Sequence, residues 1–331
     1  MESNLQQNLK ENEKLLLEEI QLNIPLVSHP YAHIGKRCRM SEEVVIEKLR
    51  HFLKQGIIRE LSAIFNSAAL GYKSTLVAVR AEEDDITTVA ERINSHPGVS
   101  HNYLRDNDYN IWFTLTVQQS YDFENEIGKL FDGIDTVKYI ILPAIKTFKI
   151  GVHFPLTGRQ LYQTNHALSQ HKKSITLSEF DRKLVVLLQK GLPIVKTPWQ
   201  EIAMKLRTEE QSLLSHISKL KKTGVIKRIS AVLRHRKIGF HANGMACFRV
   251  PEDRIVEAGR CLAEYREISH CYQRKTYPEW QYSLFAMVHK RERSECLPLI
   301  EEMAMKIKSK DYLALFSIKE FKKERVKYFV E

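Results

Sequence analysis

The chain carries the same series of segments twice, in the same order, which restricts it to folds built from two copies of one unit. Gly56-Ile-Ile-Arg-Glu-Leu-Ser-Ala-Ile-Phe65 is matched by Gly224-Val-Ile-Lys-Arg-Ile-Ser-Ala-Val-Leu233, and Asn23-Ile-Pro-Leu-Val27 by Gly191-Leu-Pro-Ile-Val195 at the same offset. Leu70-Gly-Tyr72 answers to Ile238-Gly-Phe240, and Ile145-Lys-Thr-Phe-Lys149 to Ile318-Lys-Glu-Phe-Lys322. A match this long is a duplicated domain rather than a solenoid of short repeats. At 331 residues the chain has room for two ordinary domains or four small ones.

Each copy opens with helices. Residues 11–22 set Leu and Ile at helical spacing, and a Pro-bounded connection runs from Asn23 to Pro30. Residues 31–38 form a second short helix. Ser41-Glu-Glu-Val44 then reads as an N-cap with an acidic first turn, opening a helix to Gln55 that stops at Gly56. The second copy repeats this from Ser178 to Gly224, with Thr208 as the cap. Helix, helix, turn, helix and then two β-rich segments is the order of a winged helix-turn-helix. A strand over Lys73–Arg80 follows, then a helix to Ser95, strands near 99–105 and 109–117, a helix over 121–132 and a strand over 136–142. That βαββαβ order is ferredoxin-like. The expected fold is therefore α+β, a tandem duplication of winged helix-turn-helix plus ferredoxin-like domain. Its divisions fall at 10–66, 67–152, a polar Gln- and His-rich linker over 153–177, then 178–234 and 235–331.

One stretch stands out in both copies: Val99-Ser-His-Asn-Tyr-Leu-Arg105 and Ile268-Ser-His-Cys-Tyr-Gln-Arg274. Successive side chains of a strand alternate between its faces, so His101, Tyr103 and Arg105 share one face, as do His270, Tyr272 and Arg274. A single such strand is as well explained by a half-polar face towards solvent or a dimer seam. Duplication favours function, because the polar pattern persists where the residues around it have drifted.

Charge and cysteine usage narrow the setting. A formal net charge of +11 suits nucleic acid or another polyanion, including a ligand with several carboxylates. Five cysteines, odd in number and without CxxC spacing, point to a reducing cytoplasm and away from a zinc or iron–sulfur site. No apolar run approaches a membrane span, and the polar N-terminus is unlike a signal peptide.

A winged helix followed by a βαββαβ domain resembles the Lrp/AsnC transcription regulators. The segments HPGVSHNYLRDNDYNIWFTLTV, RISAVLRHRKIGFHANGMACFRVPEDR and ISHCYQRKTYPEWQYSLFAMVH narrow the likeness to siroheme decarboxylases, Lrp-like enzymes of alternative haem and haem d1 biosynthesis. The resemblance spans nearly the whole chain and implies two related subunits fused into an intrachain pseudo-dimer, with room for further homo-oligomerisation. It implies conversion of the C12 and C18 acetates of siroheme to methyls, giving 12,18-didecarboxysiroheme, with no cofactor beyond the iron the substrate carries. The family's paired histidines match His101 and His270.

Losing carbon dioxide from an unactivated acetate leaves an electron pair that a polarised tetrapyrrole ring can accept. The methylene must then be protonated by a group that titrates near neutrality, which favours His. Either histidine could instead be an axial ligand to the substrate iron. Arg105, Arg234, Arg236 and Arg274 are the candidates to hold the carboxylates that stay, because Arg matches them geometrically. Tyr103 and Tyr272 are supplementary donors, and His235 a third imidazole. Where the second copy carries Arg234-His235-Arg236, the first runs Phe65-Asn66-Ser67 with no Arg or His, so one furnished site is more readily expected than two. Tyr277 and Trp280, in a Pro-bearing insertion, read equally as an aromatic wall for the macrocycle or a hairpin packed on the core.

The rival reading is a DNA-binding regulator, and a third is a haem-binding protein without turnover. The helices that would enter the major groove begin Ser41-Glu42-Glu43 and Thr208-Glu209-Glu210. Carboxylates at that end face the phosphate backbone with the wrong sign, so DNA binding is not expected.

Overall fold

The computed structural model describes residues 9–134, 136–151, 156–157, 176–234 and 242–329. The first copy runs α1 (Glu11–Leu22), α2 (Pro30–Cys38), α3 (Glu42–Lys54), β1 (Ile58–Phe65), β2 (Tyr72–Arg80), α4 (Ile86–Ser95), β3 (Val99–Arg105), β4 (Ile111–Gln118), α5 (Phe123–Phe131) and β5 (Lys138–Ile150). The second runs α6 (Glu179–Gln189), α7 (Pro198–Lys205), α8 (Glu210–Lys222), β6 (Ile226–Leu233), β7 (Ala242–Phe248), α9 (Ile255–Glu264), β8 (Ile268–Arg274), β9 (Leu284–Lys290), α10 (Arg293–Lys306) and β10 (Tyr312–Lys323). No described helix is long and apolar enough to cross a membrane.

Like halves join like. One compact unit gathers Met1–Leu70, His153–Gly239 and Tyr328–Glu331, and the other Gly71–Val152 and Phe240–Lys327. The expected domains are therefore merged in pairs, and the tail from Tyr328 belongs with the helical unit rather than with the second ferredoxin-like domain. The linker expected over 153–177 lies largely outside the described residues.

In the helical unit each copy supplies one strand, not a hairpin wing. β1 and β6 pair antiparallel, and Ser62 lies opposite its own equivalent, Ser230, so a pseudo-twofold passes through that point. Equivalent bonds repeat about it. Ile24 N–H donates to Ile229 O at 2.6 Å and Leu192 N–H to Leu61 O at 2.7 Å. Tyr31 Oη donates to Pro193 O at 2.9 Å, and Trp199 Nε1 to Pro25 O at 3.2 Å. Helix ends follow local chemistry: Ser41 accepts from Val44 N–H at 3.4 Å, and α3 stops at Gly56, whose φ of 70° suits a residue without Cβ. The expected cap at Thr208 is one residue early. Glu209 is the N-cap of α8 without a side-chain bond, because Thr208 N–H is taken by Ala203 O at the end of α7.

The N-terminal carboxylates of α3 are already engaged. Glu42 meets His29 at 3.2 Å, Glu43 pairs with Lys196 at 2.6 Å, and Arg50 donates to Ile194 O at 2.8 Å. The would-be groove-reading helix thus leans on the Pro-bounded connection of the other copy.

In the second unit each copy forms an antiparallel sheet of order β3-β4-β2-β5, or its counterpart, with helices on one face, as the ferredoxin-like order requires. β5 and β10 exceed the strands expected there. Residues 138–143 of β5 pair with β2, and 144–150 continue onto β8 of the other copy. β10 does the same, pairing with β7 through 312–316 and with β3 through 317–323. Register shifts fall where each strand changes partner, as β-bulges bend a strand from one sheet to the next. The two sheets close into one eight-stranded barrel. Its interior cluster draws on both copies, with Trp112, Leu142, Met245, Cys247, Phe285 and Leu315 among its members.

Asp181 offers a stability test. It completes a capping box with Ser178 and meets His216 Nε2 at 2.7 Å. Burial alone would raise its pKa, but the Ser178 hydroxyl and backbone N–H and the His216 ring outweigh that and hold it below the usual aspartate value. The stabilisation is therefore complete above the unfolded-state pKa of about 4 and is lost as pH falls through the lower folded value. Asp181→Ala should cost about 1 kcal/mol at neutral pH, measured by urea unfolding, and that difference should vanish in acid.

Candidate functional site

The two alternating strands do what their spacing predicts. On β3 the His101 ring stacks on Tyr103, with centroids 6.2 Å apart and planes at 29°, and the Arg105 guanidinium lies 5.6 Å over the same Tyr ring. On β8 the His270 and Tyr272 rings are 6.1 Å apart at 23°, with Arg274 4.9 Å over Tyr272. Each copy thus builds a ladder of guanidinium, phenol and imidazole. Asn102, on the other face, bonds Ala90 O and Asn94 Oδ1 beneath α4. Its counterpart Cys271 is fully buried in the helix-side core, as expected of a core residue.

The ladder is graded in exposure: both histidines are half-buried, whereas Arg105 is 4% exposed. Arg105 Nη1 donates to Leu315 O at 2.7 Å and Arg274 Nη1 to Leu142 O at 2.5 Å, each reaching a long strand of the other copy. Burial lowers the pKa of each to about 10, which leaves both charged at neutral pH. Arg105 points into a packed interior while Arg274 is half-buried, and both fasten strand carbonyls across the pseudo-twofold. Cation–π contact with Tyr103 and Tyr272 offsets part of their desolvation.

The aromatic insertion is a hairpin packed on the core, not an exposed wall. Trp280 is 3% exposed, 5.3 Å from Trp112 and 5.1 Å from Tyr282. Tyr277 pairs with Trp280 across the turn and donates from Oη to Ile141 O at 2.6 Å. The indole buries too much apolar surface to remain in water when the barrel interior is within reach. Arg234 is exposed and belongs to the helical unit. His235 and Arg236 lie outside the described residues.

The second copy holds a feature the sequence did not disclose. Ser269 Oγ lies 2.8 Å from His270 Nδ1 and 2.7 Å from His289 Nε2 on β9. His289 is held neutral, its pKa lowered to about 3 by burial and by the nearby charges of His270 and Lys323. In the first copy Ser100 Oγ meets His101 Nδ1 at 2.9 Å. His101 lies opposite Thr114 and His270 opposite Met287, so the equivalent of His289 is Thr116, whose hydroxyl bonds Ser74 at 2.7 Å.

The fold and the paired ladders can be set against known proteins. The chain matches the AsnC-like ligand binding domain over residues 69–149 and 237–322. It also matches the siroheme decarboxylase NirDL-like HTH domain over 13–59 and 181–227. It is 37% identical over 325 residues to a siroheme decarboxylase of Hydrogenobacter thermophilus, covering 96% of this chain and 94% of that one. The chain belongs to the siroheme decarboxylase family. A siroheme decarboxylase beta subunit of Methanosarcina barkeri is 38% identical over 155 residues, 46% of this chain but 99% of its own length. The family thus includes half-length subunits, and here two such halves form an intrachain pseudo-dimer. Among solved structures, the siroheme decarboxylase NirDL in complex with an iron-uroporphyrin III analogue superposes with a TM-score of 0.74 at 33% identity, over 97% of this chain and 95% of that one.

The packing of the insertion is open to test. Trp280→Ala should cost about 3–5 kcal/mol and Tyr277→Phe about 1 kcal/mol, read as shifts in the denaturant midpoint. A near-parental midpoint for Trp280→Ala would return the indole to the surface.

Proposed function

We propose that this chain is a cytoplasmic carboxy-lyase that removes carbon dioxide from the C12 and C18 acetates of siroheme, with no cofactor beyond the iron of its substrate. The observation that carries the reading is the pair of pseudo-equivalent ladders, each with a half-buried imidazole at its outer end, in a chain that belongs to this family along nearly its whole length. When the bond between the methylene and the carboxylate breaks, carbon dioxide leaves and the electron pair stays on the substrate, delocalised into the ring. A proton from an imidazolium Nε2 on that methylene completes the methyl group. His101 and His270 are the residues assigned to this step, since imidazole is the side chain whose charge ordinarily changes nearest neutral pH. The Tyr rings beneath them and the Arg beneath those set the plane of each imidazole, so Arg105 and Arg274 serve the reaction through packing. The complex of a relative with an iron-uroporphyrin analogue supports a tetrapyrrole as the ligand.

The helix-turn-helix pair is assigned a structural role. The carboxylates at the start of α3 are engaged by His29 and Lys196 and would repel DNA phosphates.

Replacing either histidine tests the assignment. His101→Ala and His270→Ala should each slow turnover by about 10²–10⁴-fold in an anaerobic product assay, with siroheme binding much less affected. A variant that loses an iron ligand would shift the bound tetrapyrrole's absorption, whereas loss of a proton donor leaves it in place. Reversing Glu42 and Glu43 to Lys should leave the rate nearly unchanged. Parental rates in both histidine variants would remove the ladders from the chemistry.

A further inference from the structure

β3 and β8 each send a guanidinium into the barrel, and among the described residues no carboxylate stands within electrostatic reach of either. The ionisable neighbours of Arg105 are Cys247 and Tyr103, and those of Arg274 are Tyr272 and the same Cys247. None of them supplies a negative charge. A phenol ordinarily ionises near pH 10 and a thiol above pH 8, and burial pushes Cys247 and Tyr272 further up. The hydrogen bonds point the same way. Arg105 is 4% exposed and gives Nη1 to Leu315 O, but its buried Nε–H has no partner. Ser317 lies directly opposite Arg105 across the β10–β3 pair, which puts both side chains on one face, about 5 Å apart at their roots. The buried Ser317 hydroxyl has no partner either. It could accept from the guanidinium, yet the two do not bond each other, so two adjacent donors are left for one guest. Trp280 Nε1–H is a further unpartnered donor, in the same apolar cluster as Cys247. Arg274 Nε is unpartnered as well, but the residue opposite it is Ala144, which offers no second donor. Cys247 faces Phe285 where the first copy has Ala78 facing Trp112. Ser317 and Cys247 thus each stand where the first copy has alanine.

We infer that the barrel interior binds one small monovalent anion of the halide class, which accepts from Arg105 Nε–H and the Ser317 hydroxyl within reach of the Cys247 thiol. The chemistry of the donors selects that guest. Arg105 Nε, Trp280 Nε1 and the Cys247 S–H can only donate or donate in preference, so the guest must accept. A water molecule would satisfy the hydrogen bonds but leave the guanidinium charge unbalanced. A doubly charged oxyanion brings more charge than one guanidinium answers, and several oxygens that each need a donor. A halide carries one charge and accepts from any direction. The site is set apart from the imidazole end of the ladder, since His101 pairs with Lys323 at the far end of the same strand pair. The ion belongs to the scaffold, and the inference does not depend on the decarboxylase reading.

The test uses the full chain with sodium chloride or bromide as the probe, against sodium methanesulfonate at the same ionic strength. The thermal midpoint should rise with the logarithm of halide concentration. A crystal grown in bromide should show an anomalous peak within hydrogen-bond distance of Arg105 Nε and Ser317 Oγ. Ser317→Ala reproduces the Ala144 of the other copy, so it should fold, and it should need about 10–100-fold more halide for the same rise. Cys247→Asp sets a carboxylate near the guanidiniums, and Cys247→Asn an uncharged group of the same size. In halide-free buffer at neutral pH the Asp variant should melt above the Asn variant and gain nothing from added halide. A parental midpoint that ignores halide, a bromide crystal without a peak at Arg105, or an Asp variant that melts below Asn would each overturn the inference. Siroheme titrations in the two salts separate a resident ion from a substrate carboxylate on the same donors. Equal affinity in both supports the resident ion, and competition by halide would overturn it in favour of the substrate.

Discussion

The exchange of β5 and β10 between the two halves is the constraint on which the α/β unit depends. Each strand spends its first half in its own sheet and its second half in the other, turning at register shifts near Ala144 and Ser317. A ferredoxin-like sheet alone would leave the outer edge of β3 or β8 unpaired, and unpaired edges recruit other chains. Here β10 covers β3 and β5 covers β8, and the barrel has no free edge. The same exchange places the histidine strands. His101 lies beside Lys323 at the end of β10, and His270 beside Ile150 at the end of β5. Neither histidine strand is complete without the other copy.

The positions of the two ladder arginines follow from this arrangement. Arg105 and Arg274 cross the pseudo-twofold to Leu315 O and Leu142 O, on the two strands that are exchanged. A guanidinium at the depth of Arg105 costs desolvation free energy that one carbonyl does not repay by itself. The Tyr rings that share the ladder take up part of the charge, and the arginine in turn limits how far the Tyr, and the imidazole stacked on it, can move. Polar groups are here part of the scaffold: in the first copy only His101 of the ladder is left half-exposed, whereas in the second His270, Tyr272 and Arg274 are all half-buried.

Much of this was legible in the sequence. The duplication, the βαββαβ order and the shared face of His101, Tyr103 and Arg105 all rest on local patterns: caps, period-two alternation and repeated motifs. What escaped depends on partners distant in the chain. Residues 145–149 and 318–322 were visible as an echo of each other but not as strand extensions, because the edges they pair with lie in the other copy. Trp280 read equally as wall or core, since nothing local reveals Trp112 beneath it. The carbonyl partners of Arg105 and Arg274 were hidden for the same reason. His289 escaped for the opposite reason: a search for what is repeated passes over a residue whose equivalent is Thr116. The asymmetry between copies, which matters most for assigning roles, is the property that a duplication argument is least able to see.

The central claim is that this fused pair of halves catalyses a reaction on a tetrapyrrole rather than reading DNA or merely carrying haem. It is tested most directly by incubating the purified chain with siroheme without oxygen and following the mass of the tetrapyrrole. The account predicts loss of two carbon dioxide units, in step with added protein. Siroheme that is bound but returned at its original mass would contradict it.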